Sequence, residues 1–210
     1  LVVADHSDNM GFFPDLLDGA PHILQDPTGK DWYDRIKAGK GVDVAREIIG
    51  LFSQDKFPPA MTYTPDSAPY KSAWEKTVKA AEQYNEPGRF SAFIGYEWTS
   101  LVQGNNLHRV VVYRDGGDKG GQIVPYTTMP PLGSTNPRKL WEWLAQYERK
   151  TSGEVLAIAH NGNLSNGMMF ALQDDFAAGA PYDRNYAETR QKWERLYEVT
   201  QLKGDGEAHP

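Results

Sequence analysis

Short, unbroken apolar runs set between helical patterns limit this fold more than any other feature. RVVVY (109–113) and VLAIA (155–159) carry no polar residue in their interiors, and FSAFIGYEW (90–98) is rich in β-branched and aromatic residues. Leu1–Asp5 reads as a further strand and Arg195–Thr200 as a weaker one. Continuous apolar runs, unlike alternating ones, point to strands covered on both faces, as in a parallel sheet wrapped by helices.

The intervening segments have helical spacing. Trp74, Val78 and Ala81 stand at i, i+4 and i+7, and Tyr70, Ala73, Thr77, Ala80 and Tyr84 broaden the stripe. Asn136 is placed to cap a second helix that starts at Pro137 and buries Leu140, Trp141, Leu144 and Tyr147. Residues 42–52 and 186–196 are also helical in pattern. Strands alternating with helices predict an α/β domain. Two stretches exceed a minimal unit: residues 7–69, and the Gly- and Pro-rich residues 116–137. Each reads either as a lid or substrate-contacting segment, or as an insertion without a role.

With 210 residues the chain can build one domain around a sizeable core. No run of 18 apolar residues occurs, so no membrane span is expected. A net charge of −6 argues against a nucleic-acid partner. Cysteine is absent, which removes disulfides, thiolate nucleophiles and cysteine zinc sites. Histidines and carboxylates are left as the strong metal ligands. Leu1-Val2-Val3 reads as the middle of a buried strand, and GDGEAHP follows a strand-like run without a closing helix. Both ends are therefore expected to be cuts through a larger domain.

The histidines fall at strand ends. His6 closes the first run, His160 closes VLAIA, His108 introduces RVVVY, and Glu97 lies near the end of FSAFIGYEW. Strand ends gathered on one face are where α/β folds place ligands and catalytic groups. Imidazoles with one carboxylate suit Zn, Mn or Fe. A lone strand-end histidine is otherwise a satisfied core residue, and Arg109 could neutralise Glu97. Arg109 and the turn 161–167, with Asn161, Asn163 and Asn166, offer donors to a small anionic substrate. Gly162 and Gly167 in that turn equally serve plain loop geometry. Six tryptophans raise a carbohydrate-binding module, although Trp74 and Trp141 fit helix core positions.

The strings ADHSDNMGFF, FIGYEWTSLVQGNNLHRVVVYRD, VLAIAHNGNLSNG and EVTQLKGDGEAHP resemble, in this order, the DUF3604 family. That family is similar to the PHP (polymerase and histidinol phosphatase) superfamily of metal-dependent hydrolases. The resemblance implies that residues 1–210 form a single domain, an incomplete and distorted (βα)7 barrel. Such a barrel holds two or three divalent ions at the C-terminal ends of its strands. Asp5-His6 matches the second motif, Glu97 the bridging glutamate, His108 the histidine opening the next strand, and His160 the following one. The first His-x-His and the last Asp-x-His have no counterpart, Glu207-Ala208-His209 being a stand-in for the latter.

On that basis Glu97, His108 and His160 share one metal, His6 belongs to another ion, and Asp5 orients the site. The chain would then hold at most about one ion. The implied reaction is phosphoester hydrolysis by a metal-activated water, with this piece inactive alone. The alternative is a non-catalytic binding or structural domain with a partial metal site. Family members that are exported favour an exported or periplasmic protein.

Overall fold

A four-stranded sheet organises the candidate residues: β1 (Gly95–Trp98), β2 (Arg109–Tyr113), β3 (Val155–Ala159) and β4 (Leu196–Tyr197), in that spatial order. The computed structural model describes residues 1–206 except Asp55 and Ala178, so Glu207 and His209 lie outside the described residues. β2 runs antiparallel to both β1 and β3, and β4 is parallel to β3. The N-terminal segment lies along the free edge of β1 in parallel, through bridges Val2–Phe93 and His6–Glu97. Its backbone accepts from Phe93 at Leu1 and from Glu97 at Asp5, both at 2.8 Å.

The domain is α/β, but the expectation of a parallel sheet is corrected. Only residues 99–108 separate β1 from β2, too few for the helical crossover a parallel pair needs. They form a small hairpin, Leu101–Val102 against Asn105–Asn106, turned by Gln103 (φ 51°) and Gly104 (φ 83°). Two successive left-handed residues make the turn that matches the twist of paired strands. The sheet is open, and no closed barrel forms among the described residues.

Burial alternates along β2 and β3. Arg109, Val111 and Tyr113, like Val155, Ala157 and Ala159, are buried, while Val110, Val112, Leu156 and Ile158 are half-buried. The apolar runs thus have one fully covered face and one partly covered. Leu1 and Val3 are exposed, as residues of an edge segment rather than of a strand flanked on both sides.

The covered face packs against the helices α5 (Ala68–Tyr84) and α6 (Pro137–Thr151), which follow the helices α1 (Phe12–Asp18), α2 (Pro21–Gln25), α3 (Pro27–Lys37) and α4 (Gly41–Ser53) in the chain. Tyr70, Trp74 and Val78 of α5 are buried, but Tyr84 is exposed, so the apolar stripe is narrower than its spacing suggested. In α6 the Asn136 side chain accepts from Arg138 N–H at 2.9 Å, and Leu140, Trp141, Leu144 and Tyr147 are buried. Residues 7–69 are largely helical, and Phe12, Leu16, Ile23, Trp32, Val44 and Ile48 join the same core.

A buried ionic knot ties β2 to α6 and to α7 (Arg184–Trp193). Glu194 accepts from Arg109 Nε at 3.0 Å, Trp141 Nε1 at 2.8 Å and Arg190 Nε at 3.0 Å. Removing one partner of such a group strands a charge in the interior. Glu194→Ala is expected to lower the unfolding free energy by about 3–5 kcal/mol in urea denaturation. A loss below about 1 kcal/mol would mean that water reaches Arg109 freely.

Candidate metal centre

The reversed β2 sets the geometry of the site. The N-terminal segment, β1, β3 and β4 all end at the sheet edge where β2 begins. A histidine after one strand and a histidine before the next therefore meet. His6 Nε2 lies 2.9 Å from Glu97 Oε2, and His108 Nδ1 lies 3.4 Å from Glu97 Oε1. One ligand atom from each of His6, Glu97 and His108 lies within 4.8 Å of the others. The His6 and His108 rings meet edge to face with centroids 5.2 Å apart.

Neighbouring groups hold these residues in place. The Asn106 side chain accepts from His108 N–H at 2.9 Å, fixing the backbone that leads into β2. Gly95 keeps the His6 segment close to β1. A Cβ there would stand 2.5 Å from Val2 Cγ2 and 2.7 Å from the Val111 carbonyl oxygen.

The donor set suits a divalent first-row ion. Both His108 ring nitrogens are buried without a hydrogen-bond partner among the described residues, a costly state that a cation on one nitrogen would relieve. The exposures grade outward, from 6% for the His108 side chain through 15% for Glu97 to 60% for His6. Burial raises the pKa of the Glu97 carboxyl, but the His108 and His6 imidazoles beside it together outweigh that and hold the group ionised. Burial lowers the pKa of His108 and keeps the ring neutral despite the carboxylate beside it. An anionic carboxylate and a neutral imidazole are the forms that bind metal.

The remaining candidates are distributed differently from expectation. His160 stands beside the cluster, its ring 5.7 Å from that of His108, but it is not among the three converging ligands. His6 takes the third place assigned to His160, because the edge segment pairs with β1 at Glu97 itself. His160 Nε2 instead faces Gln201 Nε2 at 2.8 Å, Asn106 Nδ2 at 3.3 Å and Lys203 Nζ at 3.3 Å. An ammonium at that distance repels a second cation.

Arg109, expected as a donor to substrate, is placed by the structure in contacts within the fold. It lies on the covered face, bound to Glu194 and to the Leu107 carbonyl oxygen. Asp5 is exposed, and its carbonyl oxygen carries the pairing with β1. Asn161 and Asn163 are likewise engaged within the fold. Their side-chain amides donate to the carbonyl oxygens of Gly204 at 3.0 Å and Lys203 at 2.9 Å, locking the turn 161–167 to the last hairpin. Asn166 is exposed in left-handed backbone at φ 50°.

Four neighbours escaped the sequence reading: Asn106, Glu198, Gln201 and Lys203. Glu198 accepts from Asn161 N–H and from Gln201 Nε2, both at 2.9 Å. The signal available was the polar run E-x-x-Q-x-K directly after a strand end, where ligand groups gather.

Fold and site together define an α/β protein with a candidate divalent-metal centre at one sheet edge. The family model described as Protein of unknown function (DUF3604) matches residues 1–210, and the chain belongs to that family. No curated protein and no solved structure matches it.

The two shifts act on stability in the same direction. His108 titrates at 6.5 when unfolded and lower when folded, so the unfolded chain binds the proton more readily below 6.5 and stability falls there. Glu97 adds a second loss below its unfolded value of 4.5. Denaturation of chelator-treated protein at stepped pH should show both losses, and His108→Phe should remove the upper one. A profile that stays flat through the upper window would contradict this protonation scheme.

Proposed function

We propose that this chain carries the metal site of a PHP-type metal-dependent hydrolase, with a phosphoester as substrate. The single observation that carries this reading is a carboxylate between two imidazoles, one of them buried with neither nitrogen hydrogen-bonded among the described residues. The order of motifs supports the barrel: Asp5-His6, then Glu97, then His108 opening a β-branched strand, then His160. In this reading the open sheet and its edge segment are part of a PHP-type strand layer.

His6, Glu97 and His108 would hold a Zn, Mn or Fe ion. A bound divalent ion supplies Lewis acidity, acidifying water and drawing negative charge from phosphorus. The chain's own residues prepare for this. Glu97 stays deprotonated because both imidazoles lie against its carboxylate. His108 stays neutral because it is buried, so a nitrogen lone pair remains available. His6 lies on the exposed edge, which leaves the outer side of the cluster open to water and substrate.

One observation favours the alternative of a non-catalytic binding domain: Arg109, Asn161 and Asn163 each donate to partners inside the fold. Metal content and turnover separate the two readings. Dialysis against Mn or Zn followed by elemental analysis should find at most about one tightly bound ion per chain. The Glu97→Ala, His108→Ala double variant should lose it, and His6→Ala should weaken binding at least about tenfold. Equal metal content in wild type and double variant would overturn the site. Phosphoester turnover that needs the metal and vanishes in the double variant supports the hydrolase. Saturable metal binding without turnover of any phosphoester tested supports the binding domain.

A further inference from the structure

Beside the metal cluster, three nitrogen donors converge on one acceptor. His160 is 3% exposed, and its Nδ1 lies 2.7 Å from the Asn161 carbonyl oxygen. A carbonyl only accepts, so Nδ1 carries the proton and Nε2 presents a single lone pair. Toward that lone pair point Gln201 Nε2 at 2.8 Å, Asn106 Nδ2 at 3.3 Å and Lys203 Nζ at 3.3 Å. Both amides are fixed in orientation by a second bond. Asn106 Oδ1 accepts from His108 N–H, and Gln201 Nε2 also donates to Glu198. One lone pair makes one good hydrogen bond, so the donors exceed what His160 can accept.

We infer that Lys203, with the amides of Asn106 and Gln201, forms an anion subsite that receives an oxyanion of the substrate next to the metal cluster. This rests on the hydrolase reading for its role in a reaction, but the donor geometry stands without it. An oxyanion offers several lone pairs, as the donor group requires, and an ammonium with two amides makes charge-assisted contacts with it. In a chain of net charge −6, such a local excess of donors is where an anion can be held. The His160 ring is 5.7 Å from that of His108, so one phosphoryl group can reach from this subsite to the cluster. Asn106 links the two directly, since its oxygen positions His108 and its nitrogen faces His160.

The test uses inorganic phosphate as probe, measured by calorimetry on the chain with and without Mn, alongside Mn content. Lys203→Met should weaken phosphate binding about tenfold in both states and leave the Mn content unchanged. Lys203→Arg should bind within about threefold of the parent and so controls for folding. Parent-like phosphate binding by Lys203→Met overturns the subsite. So does a parent that takes up Mn but no phosphate, and so does loss of Mn from His160→Phe, which would make His160 a metal ligand. If the parent binds no Mn yet its phosphate binding still depends on Lys203, the hydrolase reading falls and the anion subsite stands.

Discussion

Gln103 and Gly104 turn the chain back immediately after β1, and the placement of each site residue follows from that reversal. With β2 antiparallel to its neighbours, its first residue lies at the edge where the N-terminal segment, β1, β3 and β4 end. His108 therefore faces Glu97 instead of lying a strand length away. A helical crossover between β1 and β2 would have put the start of β2 at the opposite edge and dispersed the cluster.

Two carboxylates packed at this sheet show how surroundings assign roles. Glu194 is enclosed by Arg109, Arg190 and Trp141, so each of its oxygens is matched by a protein donor. It holds helices against the sheet and has no capacity left for a ligand. Among the described residues Glu97 is partnered by imidazoles alone, one at the exposed edge and one buried with unpaired nitrogens. A saturated ion pair stabilises a fold, whereas an arrangement that lacks a positive centre is suited to acquire one.

The secondary structure was largely legible because it is local. The cap at Asn136, the proline after it and the spacing of Leu140, Trp141, Leu144 and Tyr147 specify α6 almost residue by residue. The same holds for RVVVY and VLAIA as strands. Their pairing direction was not legible from the runs themselves, because an apolar run reports burial and not the course of the chain between strands. The half-buried Val110, Val112, Leu156 and Ile158 show that such a run does not require two helical layers. The hairpin turn did contain the answer, in glycine at a left-handed position between two short pairing segments.

For the site, sequence alone determined which side chains were available. Without cysteine, the strong metal ligands had to be histidines and carboxylates, and His6, Glu97, His108 and His160 stood at strand ends. Tertiary structure decided how they group. It put His6 rather than His160 with Glu97 and His108, turned Arg109 to the opposite face, and brought Gln201 and Lys203 onto His160. The physical reason is that a ligand set depends on distances of a few ångströms between segments far apart in the chain. Strand order and direction fix those distances, and both follow from long-range pairing that no local pattern encodes.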